Sequence, residues 1–316
     1  MRPLPTPQQL RYLLALAETQ HVGRAAHHCG VTQSTLSAGI MQLERLLDAR
    51  ILDRDAGKNV VFTALGLELV RHGRTALAAL ESVAEVADAT RAPLGGPLRL
   101  GVIPTIGPFL LPRLMPMLRA QYPQLRLHLR EELTARLVDW LSEARIDALL
   151  LALPCACGGA ATVPLERDEF LAALPEAHPL AARARVPVAT LARERLLLLE
   201  DGHCLRDQAL AICGQHGLRQ VEASEDYAAT SLHMLVQMVA SGLGITLLPR
   251  LAVAGGIAAG LPIVLRPLSG VGAWRTIGLA WRPGAPRNEE YRALVPLIQA
   301  ACAARVTADA TAQSGP

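Results

Sequence analysis

The chemistry of this chain concentrates in one segment, LEDGHCLRDQALAICGQHG. Within it Cys204 follows His203 and stands two residues before Arg206, with Asp207 next. A thiolate, not a thiol, attacks a peroxide, and nearby cations or a helix N-terminus favour the charged form. If LRDQALAIC is helical, Cys204 lies at its start, where the macrodipole favours negative charge. Cys213 follows nine residues later. On a continuous helix that spacing is a rise of about 13.5 Å with the two side chains on opposite faces. A disulfide needs Cα atoms roughly 4.4–6.8 Å apart, so these thiols can join only if the segment unwinds. A sulfenic acid on Cys204 could drive that step. Two buried thiols acting as small hydrophobes are the plain alternative.

The other thiols carry less. Cys155 and Cys157, in LPCACGG, form a C-x-C with no second ligand pair nearby, weak grounds for a metal; incidental thiols on a surface loop are the expectation. Cys29 sits on the apolar side of a short helix and reads as core, and Cys302 reads as incidental. His27-His28 lacks spaced partners, so no metal site is expected. GLGIT lies between helix and strand, the wrong order for a dinucleotide fingerprint, and no cofactor is expected.

The elements that must position these groups fall into two regions. Residues 1–62 read as short helices followed by a hairpin. Thr6-Pro7 is a cap followed by proline at the first helical position, and Leu10, Leu13, Leu14 and Ala17 repeat at helical spacing. A second helix carries Ala25, Ala26 and Cys29 and stops at Gly30. Thr32 can cap a third, with Leu36, Ile40, Leu43 and Leu47 in one stripe. ILDRDAGKNVVFT suits a wing around Gly57. Over 63–91 one long helix carries Leu65, Leu69, Ala76, Leu80, Val83 and Ala87 at near-heptad steps, as a helix does that pairs with another subunit. APLGGP, residues 92–97, breaks it. Beyond, strands and helices alternate. LRLGVIP and LRLHLREE read as half-buried strands, and DALLLALP and ERLLLLE as strands of a parallel sheet covered on both faces. RTIGLAWRP is a late strand returning to the first lobe, and ARVTADATAQSGP a frayed tail. The fold class is therefore α+β and α/β.

Composition sets the bounds. The 316 residues allow two domains, and 51% hydrophobic with 19% charged is globular. No apolar run approaches the roughly 20 residues of a membrane span, and the N-terminus lacks a secretion signal; the expected location is the cytoplasm, with no membrane partner. There six cysteines are reduced, catalytic or sensing thiols rather than a disulfide framework. A net charge of +3, with Lys58 the single lysine among 31 basic residues, does not by itself announce nucleic acid.

The helix order does. Three helices with a tight turn at Gly30-Val31 make a helix-turn-helix whose third helix would expose Gln33, Ser34, Thr35, Ser37 and Gln42. Short hydroxyl and amide side chains near a helix N-terminus suit phosphates and base edges in the major groove of double-stranded DNA. Arg24, Arg54 and Lys58 could add backbone contacts; ordinary solvation is the alternative for each of these residues.

At AAHHCGVTQSTLSAGIMQLERLLDARILDR, continuing through VVFTALGLELV, the chain resembles the LysR family of bacterial regulators. That resemblance implies a winged helix-turn-helix (1–62), a linker helix (63–91) that makes dimers and commonly tetramers, and a two-lobed effector domain like the periplasmic binding proteins. Lobe I would comprise 97–165 and 274–303, and lobe II 166–273 with the redox cysteines. RDAGKN departs from the pattern, with fewer basic residues in the wing than many relatives show.

Within the family the likeness is to the hydrogen-peroxide sensors, carried by GHCLRDQA with a second cysteine at the same separation. GVIPTIGPFLLP, ATSLHMLVQMVASGLGITLLP and RTIGLAWRPGAP agree. It implies that Cys204 reacts with peroxide and Cys213 resolves it, and that Thr105 (in IPT) and Thr134 (in EELT) offer hydroxyls to peroxide, although each threonine could equally serve a cap or turn. The expectation is a cytoplasmic transcription activator, not an enzyme, with DNA, peroxide, its own copies and RNA polymerase as partners. A LysR regulator that binds a small metabolite and a thiol peroxidase are the alternatives.

Overall fold

The structure, a computed structural model, describes residues 3–53, 60–89, 94–191, 193–214, 228–270 and 272–303. The chain divides near residue 92 into two units.

In the first unit each short helix is started by a side chain that satisfies amides the helix cannot. At α1 (Pro7–Thr19) the cap is reciprocal: Gln9 N donates to Thr6 Oγ1 and Thr6 N donates to Gln9 Oε1. At α2 (Val22–His28) His21 Nδ1 accepts from the amides of Gly23 and Arg24, and the helix is followed by Gly30 at φ +66°. At α3 (Gln33–Leu47) Thr32 Oγ1 accepts from Thr35 N. Leu13, Leu16, Ala25, Ala26, Leu36, Ile40, Leu43 and Ile51 meet in one core. The α3 backbone passes so close to α1 that a methyl at Gly39 would run into the Tyr12 ring. Leu52 and Phe62 bridge antiparallel at the base of the wing; its tip, with Arg54 and Lys58, lies outside the described residues.

The long helix α4 (Ala64–Ala89) carries both covered and exposed apolar residues. Leu69 and Val70 pack on the core of the first unit, and Leu77 is buried. Leu65, Leu80 and Val83 are 46%, 50% and 70% exposed. Along the stripe expected from the sequence Leu69 packs on the first unit's core, while Leu65, Leu80 and Val83 stay exposed; the Ala87 side chain lies outside the described residues. No described helix is long and apolar enough to cross a membrane.

In the second unit β1 (Pro97–Val102), β2 (Arg126–Glu131) and β3 (Ala148–Leu153) pair in parallel in the order β2-β1-β3, with α5 (Gly107–Gln121) and α6 (Thr134–Ser142) as the crossovers. The 15-residue β4 (Ala161–Pro175) belongs to both halves of the sheet. Its first part pairs with β10 (Trp274–Trp281) and its second with β8 (Thr246–Pro249) and β9 (Ile263–Ser269). Because β10 runs antiparallel to both β3 and β4, the sheet is mixed, not parallel throughout. β5 (Val186–Pro187) closes the far edge, and α7 (Val188–Leu191), α10 (Arg250–Ala254) and α11 (Asn288–Ala303) pack around the sheet. The apolar run ERLLLLE is not a full strand. Only β6 (Leu198–Leu199) pairs, with β7 (Ala228–Ala229), and Leu196 bridges Ile245. Leu196 to Leu199 are all buried, so burial rather than a long ladder explains the run. From β6 the chain turns into α8 (Cys204–Gly214), and α9 (Leu232–Ala240) follows β7.

At Gly66, in the first turn of α4, an added Cβ would meet the carbonyl oxygen of Ile51. Helix propensity alone favours alanine over glycine by about 1 kcal/mol, but backbone cannot move aside as a flexible side chain can. Gly66→Ala is therefore expected to destabilise the first unit by about 1–3 kcal/mol, the usual range for overpacking, read as a lower urea midpoint at unchanged slope. A gain in stability would mean that the wing base yields freely.

Candidate functional site

Cys204 is the first residue of α8, whose leading amides have no partner within the helix. It lies in a small pocket with Ile103, Pro104, Thr105, Leu133, Thr134, Gly202 and His203. Its Sγ is 3.0 Å from Thr134 Oγ1. Since a thiolate only accepts, the Thr134 hydroxyl is the donor whenever Cys204 is ionised. The space it offers to a water-sized molecule is about 10 Å³, room for about one molecule of that size.

Thr105 reaches this pocket from the loop after β1, and a buried arginine holds it there. Arg275, at the start of β10, donates from Nη1 to Thr105 Oγ1 and from Nη2 to Thr105 O, both at 2.9 Å. Its Nε donates to Asp168 Oδ2 at 2.9 Å, and the amide of Leu251 donates to Asp168 Oδ1 at 2.8 Å. The two side chains are 0% and 3% exposed, so the ion pair is shut away from water. An Oγ1 that already accepts from a guanidinium keeps its own proton to donate. The geometry therefore makes Thr105 a polarised donor at the pocket wall.

His203 is buried, and burial pushes its imidazole below the ordinary value, against the opposing pull of the Glu200 carboxylate. It lines the pocket as a neutral ring at neutral pH, not as the cation its place in the sequence invites. Arg206 is turned away as well: its guanidinium donates to Asp201 Oδ1 at 2.8 Å and to the Leu199 carbonyl at 3.1 Å. Asp207 is exposed, and neither Arg206 nor Asp207 lines the pocket. Of the sensing-end residues singled out in the sequence, the structure brings together His203, Cys204, Thr105 and Thr134.

Cys213 lies at the other end of α8, fully buried, and burial pushes its thiol up. The two cysteines are free and share one continuous helix. They cannot meet while it stays wound. Burial also raises Cys29. Cys302 is pushed up to about 12 by burial, with the carboxylates of Glu166 and Asp168 adding to it. Among the described residues no cluster of groups suited to a metal ion is present.

Arg275 and Asp168 are the residues that the sequence reading missed. They lie 107 positions apart, Asp168 within the charged run ERDE of β4 and Arg275 near the start of β10, and neither belongs to a local motif. On α3, Gln33, Ser34, Thr35 and Gln42 are exposed and Ser37 is half-buried. The hydroxyls of Ser34 and Thr35 lie 2.9 and 2.8 Å from Thr32 Oγ1. Arg24 is exposed and donates to the Thr19 carbonyl at the end of α1.

Residues 7–67 match the family described as bacterial regulatory helix-turn-helix protein, lysR family, and residues 91–303 match the LysR substrate binding domain. The chain is 43% identical to the DNA-binding transcriptional dual regulator OxyR of Escherichia coli K12 over 295 residues, 93% of this chain and 94% of that protein. It is 42% identical over 294 residues to the hydrogen peroxide-inducible genes activator of Pectobacterium carotovorum, covering 92% of this chain and 95% of that one. Among solved structures it is similar to full-length Pseudomonas aeruginosa OxyR carrying a cysteine-to-aspartate substitution, with TM-score 0.77 and 37% identity over 94% of this chain and 98% of that one. It is also similar to a cysteine-to-serine mutant of Corynebacterium glutamicum OxyR with hydrogen peroxide bound, with TM-score 0.66 and 31% identity over 95% and 94%.

Removing one partner of a buried ion pair leaves an uncompensated charge, at a cost of about 3–5 kcal/mol, whereas an exposed pair contributes about 0–1 kcal/mol. Asp168→Ala is expected to lower the urea midpoint steeply, and Arg250→Ala, which breaks the exposed pair with Glu169, to leave it nearly unchanged. Comparable losses would remove the special standing of the buried pair.

His203 gives a pH dependence of known sign. Its folded value lies below the ordinary 6.5, so its contribution to stability is present above 6.5 and is lost as pH falls below it. Between pH 7.5 and 5.5 the unmodified chain should lose more stability than His203→Gln; equal losses would count against burial of the neutral ring. With both domains of the family in order and close relatives along nearly its whole length, the chain belongs to the LysR family of bacterial helix-turn-helix regulators.

Proposed function

We propose that this protein is a peroxide-sensing, DNA-binding regulator of transcription, switched by a reversible Cys204–Cys213 disulfide. The observation that carries the reading is the pocket itself: a thiol at a helix start, two threonine hydroxyls beside it, and too little room for an ordinary metabolite. The Cys204 thiolate attacks one oxygen of hydrogen peroxide, the O–O bond breaks, and hydroxide leaves and takes a proton to become water. The Thr105 hydroxyl, polarised by Arg275, is placed to donate toward the departing oxygen, and Thr134 orients the sulfur. Cys213 then attacks the sulfenic sulfur, forming the disulfide and releasing a second water.

The helix between the thiols makes this reaction a switch. Joining them requires α8 to unwind, giving up buried Leu205, Ala209 and Ile212. Each large side chain contributes about 1.5–3 kcal/mol of burial, so the oxidised segment settles into a different packing. Burial keeps Cys213 protonated until that moment, and unwinding frees it to react. The expected remodelling reaches residues 215–220, which lie outside the described residues.

The readout is DNA. Gln33, Ser34, Thr35, Ser37 and Gln42 on α3 are the proposed major-groove readers, with Arg24, Arg54 and Lys58 on the backbone. The exposed Leu65, Leu80 and Val83 of α4 support pairing with a second copy, and a dimer of dimers is the proposed assembly, acting on RNA polymerase in the cytoplasm. The lobes are proposed as 97–165 with 274–303, and 166–273. The protein acts as a stoichiometric sensor and not as an enzyme. The relatives named hydrogen peroxide-inducible genes activators are consistent with this reading.

Cys204→Ser is expected to abolish the peroxide-induced change in the DNA footprint while DNA binding itself persists. Cys213→Ser should accumulate a Cys204 sulfenic acid trapped by dimedone. A Cys204→Ser protein that still responds would overturn the assignment, and a Cys213→Ser protein that responds fully would remove the disulfide from the mechanism.

A further inference from the structure

Outside this pocket the motif LPCACGG, whose thiols read from the sequence as incidental, is left without a role. In the structure the Cys155 and Cys157 side chains face each other, with Cα atoms 5.3 Å apart, inside the roughly 4.4–6.8 Å that a disulfide needs. Both are half-buried, while Pro154, Ala156, Gly158 and Gly159 around them are exposed. Small reagents in solvent can therefore reach them. Gly158 and Gly159 take φ of +57° and +82°, and Ala160 N donates back to Cys157 O at 3.0 Å. The turn is one that side-chain-bearing residues rarely make, and it folds the loop tightly behind the two thiols. The loop leaves β3 at Leu153, whose strand partner is Thr276, the residue after Arg275.

We propose that Cys155 and Cys157 are a second redox site, a thiol pair that hydrogen peroxide converts reversibly to a disulfide. It rests on no role for Cys204. One thiolate attacks a peroxide oxygen, the O–O bond breaks, and hydroxide leaves as water after taking a proton. The neighbouring thiol attacks the resulting sulfenic sulfur, the S–S bond forms and a second water leaves. Two thiols lose two electrons and two protons, and one peroxide is reduced to two waters. With the partner two residues away, ring closure competes well against a second attack by peroxide. A disulfide closing so short a loop removes little entropy from the unfolded chain, so its effect is chemical and not a structural staple. A reducing compartment makes it transient.

The test uses the full chain carrying Cys204→Ser and Cys213→Ser, reduced with dithiothreitol and then exposed to one equivalent of hydrogen peroxide. Free thiols are blocked with iodoacetamide, and the tryptic peptide 146–167, whose cysteines are Cys155 and Cys157 alone, is weighed. The expected peptide carries no alkyl group and is two hydrogens lighter than the dithiol, and dithiothreitol restores both alkylation sites. A companion chain with Cys157→Ser should instead give a Cys155 adduct with dimedone or a mixed disulfide. Full alkylation after peroxide, irreversible sulfinic acid, or a bond from this peptide to Cys29 or Cys302 would each overturn the proposal. Because the test chain lacks Cys204 and Cys213, its failure leaves the sensor reading intact, and failure of that reading leaves this one intact.

Discussion

The second unit is built around a charge pair that water cannot reach. Arg275 and Asp168 are almost fully buried, and every strong donor of the guanidinium that bears on the pocket has a fixed acceptor. Desolvating two charges costs several kcal/mol, recovered only where geometry and additional hydrogen bonds are good. Here the bonds tie together β10, β4, the start of α10 and the loop after β1. The register of the two long central strands thereby sets where the Thr105 hydroxyl stands. A shift of either strand by one residue would turn its side chains to the opposite face and leave a bare charge in the core.

Against that rigid wall stands α8, which holds opposing tendencies. Its start carries an accessible thiol and its far end a sealed one. The same apolar side chains that dock the helix keep the thiols apart. A neutral, buried His203 closes the pocket on one side. Beside the sulfur stands the Thr134 hydroxyl, while the Arg206 guanidinium is held by Asp201. That is a different arrangement from the one the neighbouring residues His203 and Arg206 suggest when read along the chain.

The first unit follows local rules closely. Thr6, His21 and Thr32 cap the three short helices by hydrogen bonds that span two or three residues. Gly30 ends the second helix with a positive φ. Such contacts are written in short stretches of sequence, which is why the helix-turn-helix was legible almost residue by residue. Its α4 was legible as a helix, but which of its apolar residues are covered depends on where the core of the first unit lies.

The sequence by itself determined the elements whose causes are local: the capped helices, the strands β1, β2 and β3, the nine-residue spacing of Cys204 and Cys213, and the family. It also pointed to four of the pocket residues, two through their position beside Cys204 or within it and two through resemblance. Only the tertiary structure decided that Arg206 is spent on Asp201, that Arg275 and Asp168 hold Thr105, and that β4 runs through both halves of the sheet. It also showed that ERLLLLE is buried without forming a long strand and that Cys155 meets Cys157. The physical reason is distance along the chain. Capping and helix periodicity act over a few residues, whereas the pairing of Asp168 with Arg275 depends on a strand register that no short stretch specifies.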